Sequence, residues 1–485
     1  MAPLPRRQFL GAAAAAVAMP HVAFSRGGKS WRPNDELRVA VIGIRSRGRG
    51  HIGGMHKQDG VRVVAVCDCD TAFLEREKKA FAERGEDLDT HVDLREVLDR
   101  DDIDVVTSAT PNHWHSLLTI WACQAGKDVY IEKPVSHNVW EGRKMVEAAR
   151  KHGRIVQAGT QSRSSHAIRD AVAWLQGGAL GKIRYAQGLC YKPRRSIGKV
   201  DGPRPIPETV DYDLWLGPAA REPLTRKNLH YDWHWVFATG NGDMGNQGIH
   251  QMDLCRWALG YEGLSSRILS VGGRLGYDDD GNTPNTQVTL HEYGDGPPIV
   301  FETRGLPESK AAQSANWKMD RVNGVSIGAW IHCENGALRL PNYHSAQAYD
   351  ANGELIEEWK GADDHYANFV EAVRARDASK LNADIEQGHV SSALCHTGNI
   401  SHRIGTDAHP DEILEICAGR GPAADAVERM GAHLQANGVD LDADRLTAGA
   451  LLEMDPATER FTNDPRANRM LRRDYRAPFV VPDEV

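Results

Sequence analysis

Hydrophobic and polar positions follow two different patterns along the chain, and the change falls near residue 160. Before it, short near-continuous apolar runs alternate with segments whose apolar residues recur every three or four positions. Five such runs read as strands: Leu37-Arg38-Val39-Ala40-Val41-Ile42, Val61-Arg62-Val63-Val64-Ala65-Val66-Cys67, Ile103-Asp104-Val105-Val106-Thr107-Ser108-Ala109, Asp128-Val129-Tyr130-Ile131 and Arg154-Ile155-Val156-Gln157. Helices are predicted over 116–125, where Leu117, Leu118, Ile120 and Trp121 precede the stop at Gly126, and over 141–152, where Met145, Val146 and Ala149 precede Gly153. Strands apolar on both faces, alternating with helices, predict a parallel sheet covered on both sides.

After residue 160 the strands alternate instead, over 183–189, 287–293 and 299–304, and Asn335-Gly336 and Asn352-Gly353 are hairpin turn signals. That pattern predicts a largely antiparallel sheet with helices on one side, over 167–176, 365–376 and 387–404. Residues 193–225, rich in Pro, Arg and Gly, read as a long surface excursion. The stretch 423–448 is helical in character and the rest of the tail irregular. The expected fold is therefore α/β: an N-terminal Rossmann domain over 34–158, then an α+β domain with a large, mostly antiparallel sheet over 159–485, including a C-terminal extension.

A length of 485 residues suits two domains, and the net charge of −8 gives no basic field for nucleic acid. No apolar run is long enough to span a bilayer, so no membrane is expected for the mature form. Residues 1–33 stand apart. Arg6-Arg7 is followed by Phe9-Leu10, an alanine-rich stretch and the small residues Ala16-Val17-Ala18. This is the layout of a twin-arginine export signal and predicts a periplasmic or otherwise exported protein. The eight cysteines form no CxxC pair and no zinc-like spacing, so they read as small buried hydrophobes and no metal site is expected.

The first strand runs into Gly43-Ile44-Arg45-Ser46-Arg47-Gly48. A helix start offers free N–H groups and a positive dipole end to a pyrophosphate, and glycines let the backbone approach it. The middle glycine of the usual motif is Arg45 here, and a tight turn with solvated arginines would account for these residues taken alone. Asp68 ends the second strand about twenty residues past Gly48, where a carboxylate accepts from the adenosine ribose hydroxyls and repels a 2′-phosphate. No arginine follows it. NAD, rather than NADP, is the expected cofactor.

Ala109-Thr110-Pro111-Asn112-His113-Trp114-His115 closes the third strand and Glu132-Lys133-Pro134 the fourth, both at carboxyl ends where such sheets bind ligands. With Asp68, Gly159-Thr160-Gln161-Ser162-Arg163 and Gly245-Asn246-Gln247-Gly248-Ile249-His250-Gln251-Met252-Asp253, they resemble the Gfo/Idh/MocA family of glucose–fructose oxidoreductase and inositol dehydrogenase. The resemblance runs from Leu37 to about Ile404. It implies hydride exchange between NAD and a sugar-like alcohol, a cis Lys133–Pro134 bond, and cofactor contacts from Thr110, Pro111, Asn112, His115, Glu132, Lys133 and Gln161 beside the turn.

Oxidising a secondary alcohol needs a cation for the developing alkoxide and a base for its proton. Lys133 is the candidate cation and His250 the candidate base. Asn246, His250 and Asp253 would share one helical face at i, i+4 and i+7. Inositol dehydrogenase-like members carry Asp where Asn246 stands. Asn246 can therefore only position substrate or His250, with Asp253 or Asp243 orienting the imidazole. Arg163, Tyr191 and Trp235 are further substrate candidates. Trp233 and Tyr231 are aromatic enough to stack on a sugar, though such stretches also build cores. Histidines 389, 396 and 402 read as packing or surface residues. Two other readings keep the fold: a glycoside hydrolase working by transient oxidation on tightly held NAD, and a binding module that retains NAD without turnover. Pairing through an open sheet face into a homodimer or homotetramer is expected.

Overall fold

The computed structural model describes residues 36–485, so the twin-arginine segment lies outside the described residues. The first sheet contains β1 Leu37–Ile42, β2 Val61–Cys67, β3 Asp89–His91, β4 Val105–Ser108, β5 Asp128–Ile131 and β6 Val156–Ala158. All pairings are parallel and the order is β3-β2-β1-β4-β5-β6. Successive side chains of β1 enter different cores: Val39 and Val41 pack with Val63 and Tyr130, whereas Ala40 and Ile42 pack with Val106 and Ile131. That two-sided burial is what the near-continuous apolar runs require. The strand order reverses between β1 and β4, opening a crevice at their carboxyl ends. The strand without an apolar signal is β3, whose Asp-Thr-His is partly exposed.

The second sheet is built on β7 Ile183–Tyr191, β8 Arg267–Gly273, β9 Thr286–Tyr293, β10 Gly296–Arg304, β11 Ile327–Cys333, β12 Gly336–Leu340, β13 Ser345–Asp350, β14 Leu355–Lys360, β15 Thr406–Ala408 and β16 Leu446–Ala448. Its order is β14-β13-β12-β11-β7-β10-β9-β8-β16-β15, antiparallel except for the β7–β10 pair. Helices His166–Gln176, Gly248–Leu259 and Ile385–Arg403 cover one face, where Ile268, Ile299 and Phe301 point. The fold is the expected α/β architecture. Two details differ. Helix Pro422–Ala436 covers part of the opposite face, placing Met430 and Leu434 on Leu269, Leu290 and Val300, so helices do not lie on one side alone. The tail expected to be helical, then irregular, also supplies β16 and a further strand, Leu452–Asp455, on β8. These strands are three and four residues long, too short to show a period.

The second half of the chain also builds the first half's cores. Phe369 and Val373 pack with Val39 and Tyr130, and Ile385, Phe479 and Val481 pack with Trp114 and Leu118. Residues 193–225, expected as a surface excursion, press Val210, Trp215, Leu216 and Leu224 into a small core with Trp233. This segment is pinned to the first domain by an Asp70–Val210 bridge and by Trp114 Nε1 donating to the Leu214 carbonyl at 2.9 Å. It roofs the crevice.

Candidate active site

The turn after β1 is shaped by two glycines. Gly43 has φ +75°, and a Cβ there would lie 2.8 Å from the Thr110 nitrogen; a Cβ on Gly48 would lie 1.9 Å from the Gly43 oxygen. Ser46, at φ 41°, takes a left-handed conformation that costs a non-glycine residue energy, directly before helix Arg47–His56. Arg45, at the middle motif position, reaches away and donates to the His230 carbonyl at 2.8 Å. Asp68 accepts from the amides of Ile44 and Asp70, both at 3.0 Å, and burial raises its carboxyl to about 6. Gly43, Ser46, Arg47, Asp68, Thr110 and Pro111 line one cavity, roofed by Trp215, His230, Tyr231 and Trp233. A glycine cradle at a helix start, with a carboxylate at the next strand end, fits a dinucleotide.

Three residues expected at the cofactor are engaged elsewhere. Asn112 is buried and donates to Asn241 Oδ1 at 3.0 Å, tying the turn after β4 to the loop before the His250 helix. The His115 ring spans the Pro134 carbonyl at 2.6 Å and the Thr110 carbonyl at 2.8 Å, joining the ends of β4 and β5. Gln161 donates to the Tyr130 hydroxyl and to Glu132. Glu132 is itself saturated: it accepts from Arg47 Nε at 2.6 Å and faces His51 Nε2 at 3.3 Å. Burial opposes its ionisation, but the His51 contact and the charges of Arg47 and Lys133 hold the carboxyl well below its usual range. These groups brace the site from behind and orient Arg47 at the helix start.

The Lys133–Pro134 peptide is cis, as the resemblance implied. Lys133 Nζ donates to the Asn246 carbonyl at 2.7 Å. Burial lowers its pKa, Glu132 works against this, and Arg47, Lys192 and Arg194 add to it. His250 is 4% exposed, and its Nδ1 has no hydrogen-bond partner among the described residues. Burial, then the charge of Lys133, push the imidazole down to about 3, so it is neutral near pH 7. The Tyr343 ring lies 4.9 Å from it. The buried ammonium lies close enough for its charge to act on the neutral imidazole; the first can stabilise an alkoxide and the second accept its proton.

The single helical face expected for Asn246, His250 and Asp253 does not form. Helix Gly242–Asn246 ends, Gln247 takes φ −110°, and a new helix begins at Gly248. The break leaves the Asn246 carbonyl at a helix end, free to accept from Lys133. Asp253 is turned away: its carboxylate receives Arg163 Nε and Nη2 at 2.8 Å and the Ser391 hydroxyl at 2.6 Å. Asp243 is paired with Arg194 at 2.7 Å. Neither carboxylate bonds to His250. Arg163, held by Asp253, is a structural cation in this arrangement. Tyr191 is fully buried and donates to Glu302 at 2.6 Å. Trp235 is buried beneath Arg194, 5.3 Å from its guanidinium carbon. Tyr231 is 42% exposed and, like Trp233, lines the cavity roof.

Lys192, Gln247, Tyr343 and His234 are residues of this neighbourhood that the pattern did not single out. Lys192 donates to Gln247 Oε1, and Gln247 Nε2 donates to the Tyr343 hydroxyl, both at 2.7 Å. His234 lines the cavity and has its pKa lowered to about 3, by burial first and then by Lys133. Tyr343, in the turn between β12 and β13, carries no periodic signal. His389 is buried against Glu459 at 2.8 Å and His396 against Ser136 at 3.3 Å, which makes them packing residues. All eight cysteines are free and seven are buried. No metal-holding group of His, Cys, Asp or Glu occurs among the described residues, and no described helix is long and apolar enough to cross a membrane.

Comparison with known proteins agrees with this layout. A family profile described as an oxidoreductase family with an NAD-binding Rossmann fold matches residues 37–160, and its partner, the C-terminal alpha/beta domain of an oxidoreductase family, matches 182–425. A glycosyl hydrolase family 109 protein of Shewanella sp. (strain ANA-3) is 37% identical over 120 residues, 24% of this chain and 26% of that protein. The match therefore spans about a quarter of that relative's length. A 2,7-anhydro-N-acetylneuraminate hydratase of Mediterraneibacter gnavus is 31% identical over 267 residues, 53% of this chain and 60% of its own. In fold, the chain is similar to the WlbA dehydrogenase of Bordetella pertussis in complex with NADH and UDP-GlcNAcA. The TM-score is 0.53 at 19% identity, covering 74% of this chain and 94% of that one. With an NAD-binding first domain and both family profiles matched in order, the chain belongs to the Gfo/Idh/MocA oxidoreductase family.

Proposed function

We propose that this protein transfers hydride between NAD and a secondary alcohol of a sugar or sugar derivative, with the cofactor retained through turnover. The observation that carries the reading is Lys133, an ammonium at the carboxyl end of β5, acting on a buried neutral His250 from the other half of the chain. NAD, when bound, supplies the hydride acceptor. Lys133 then holds the alcohol oxygen and stabilises its developing charge, while His250 takes the proton. Asn246 serves through its main-chain carbonyl, which aims the lysine. The roof formed by Trp215, His230 and Trp233 closes over the cavity and favours retention.

A second reading has specific support. Relatives named as glycosyl hydrolases and as a hydratase align with this chain. Transient oxidation beside the bond to be cleaved, followed by return of the hydride, uses the same lysine and histidine with no net redox change. We also propose that Arg6-Arg7 directs export, which makes a retained cofactor advantageous where free NAD is scarce. One experiment separates the two chemistries. Cofactor released from freshly purified protein is identified by mass spectrometry, and a sugar panel is followed by nicotinamide absorbance and by product analysis. Net NADH supports the dehydrogenase; cleaved or dehydrated product without added NAD and without net NADH supports the second reading. Near-normal rates in both Lys133→Ala and His250→Ala would remove the site.

A further inference from the structure

Lys192 directly follows β7, and its ammonium bonds to the residue next to the one that receives Lys133. Its ammonium donates to Gln247 Oε1 at 2.7 Å, next to the Asn246 carbonyl that receives Lys133. Gln247 is thereby a rigid spacer, since its other amide atom is fixed by the Tyr343 hydroxyl. Lys192 lies near enough to lower the pKa of Lys133. Each ammonium has three donors, and the protein occupies one on each lysine.

Glu132 offsets part of the charge on Lys133, but the nearby carboxylates are bonded to other cations. Arg194 is matched by Asp243 and Arg47 by Glu132. Neither Lys133 nor Lys192 forms an ion pair among the described residues. Two neighbouring ammonium groups, Lys133 buried and Lys192 half-buried, repel each other, and a neutral ligand would exclude water without relieving that repulsion. An anionic ligand removes the penalty.

We infer that the substrate is an acidic sugar whose carboxylate is bound by Lys192, with Gln247 and Tyr343 fixing its orientation. This names the substrate class of the hydride-transfer reading and rests on it. Lys133 and His250 address the reacting hydroxyl, and the carboxylate sits beside it at the distance set by Gln247. A carboxylate is favoured over a phosphate ester because no unpaired arginine fork accompanies Lys192: Arg194 already gives Nε and Nη2 to Asp243.

The test uses the NAD-loaded full chain and matched ligands: D-glucuronate, D-galacturonate and N-acetylneuraminate against D-glucose, D-galactose and glucose 6-phosphate. Thermal shift reads binding and nicotinamide absorbance reads chemistry. The acids are expected to raise Tm where their neutral counterparts do not. Lys192→Gln should weaken acid binding about 10- to 100-fold, with Lys192→Arg restoring part of it. NADH affinity, unchanged in the variant, reports an intact fold. The inference is overturned by equal binding of neutral sugars, by preference for the phosphate, by a Lys192→Gln variant that keeps its acid preference, or by no shift with any acid. Lysine-dependent acid binding without any change at the nicotinamide, or in the sugar, would overturn the hydride-transfer reading instead and leave this one standing.

Discussion

Lys133 Nζ and the main-chain oxygen of Asn246 meet at 2.7 Å across 113 residues of sequence. This bond joins the strand end that presents the ammonium to the helix break that presents His250. Because the acceptor is a carbonyl, substitution of the Asn246 side chain leaves the bond in place. Lys133→Met should therefore lower kcat by about 10²- to 10⁴-fold with NAD affinity nearly unchanged. Asn246→Ala should cost far less. Equal losses in the two variants, measured by steady-state rates and NADH titration, would mean that the Asn246 amide itself handles substrate.

The pH profile follows from two lowered pKa values. His250 is held to about 3, first by burial and then by Lys133, so it remains neutral well below the ordinary histidine range. The acid limb of kcat/KM should fall below pH 6.5. Lys133 is lowered from 10.5, mainly by burial, so the alkaline limb should appear before pH 10.5 as the ammonium is lost. Lys133→Arg should move that alkaline limb upward if it retains activity. An acid limb at 6.5 that vanishes in His250→Ala would instead indicate an imidazole exposed to solvent during turnover.

Asp68 is the candidate for discriminating between cofactors. Its carboxylate is held by two amides and titrates near 6 because it is buried. The ionised form accepts most strongly from ribose hydroxyls and repels a 2′-phosphate, so KM for NAD should rise as pH falls through 6. Asp68→Asn should remove that dependence and narrow the preference for NAD over NADP by at least about tenfold, equivalent to about 1.4 kcal/mol. A variant that still rejects NADP as before would place discrimination elsewhere in the cavity.

Acid should also destabilise the fold. His113, His291 and His396 are buried, and burial lowers each to about 3 from 6.5. Between these values the unfolded chain binds protons that the folded chain refuses, so stability falls as pH drops below 6.5. Each histidine contributes about 1.4 kcal/mol per pH unit in that window. Asp68, raised to about 6, takes up a proton in the folded state and offsets roughly one of them below pH 6. Tm should decline steadily from pH 7 to pH 5; a flat profile would mean that these rings accept protons without unfolding.

The legibility of the chain tracked the range of the interactions involved. β1 is readable because Val39 and Val41 pack into one core and Ala40 and Ile42 into the other, which leaves a near-continuous apolar run. Asp68 and Lys133 were readable because strand ends fix ligand positions in an open α/β sheet. Asp253 was misassigned because its partner, Arg163, stands 90 residues away, and sequence spacing on one helix says nothing about that pairing. Lys192 carries no pattern of its own, because its partners Gln247 and Tyr343 are contributed by other elements. Trp215, one part of the roof over the crevice, lies in a segment whose prolines and glycines suggest only a loop.

The last prediction concerns the C-terminal extension. Phe479 is 2% exposed and meets the edge of the Trp114 ring at 5.4 Å, in the core that also holds Val481 and Val485. Trp114 in turn lines the cofactor cavity and donates from Nε1 to the Leu214 carbonyl of the roof. The tail therefore supports one wall of the dinucleotide site from behind. Phe479→Ala should destabilise the protein by about 3–5 kcal/mol through the cavity it leaves. Because Trp114 loses its backing, the same variant should bind NAD more weakly at temperatures where it is still folded, while Phe479→Leu recovers most of both. Tm by calorimetry and NADH titration well below that Tm distinguish the two effects. A variant with lowered Tm but unchanged NADH affinity would show that the wall holds without the tail.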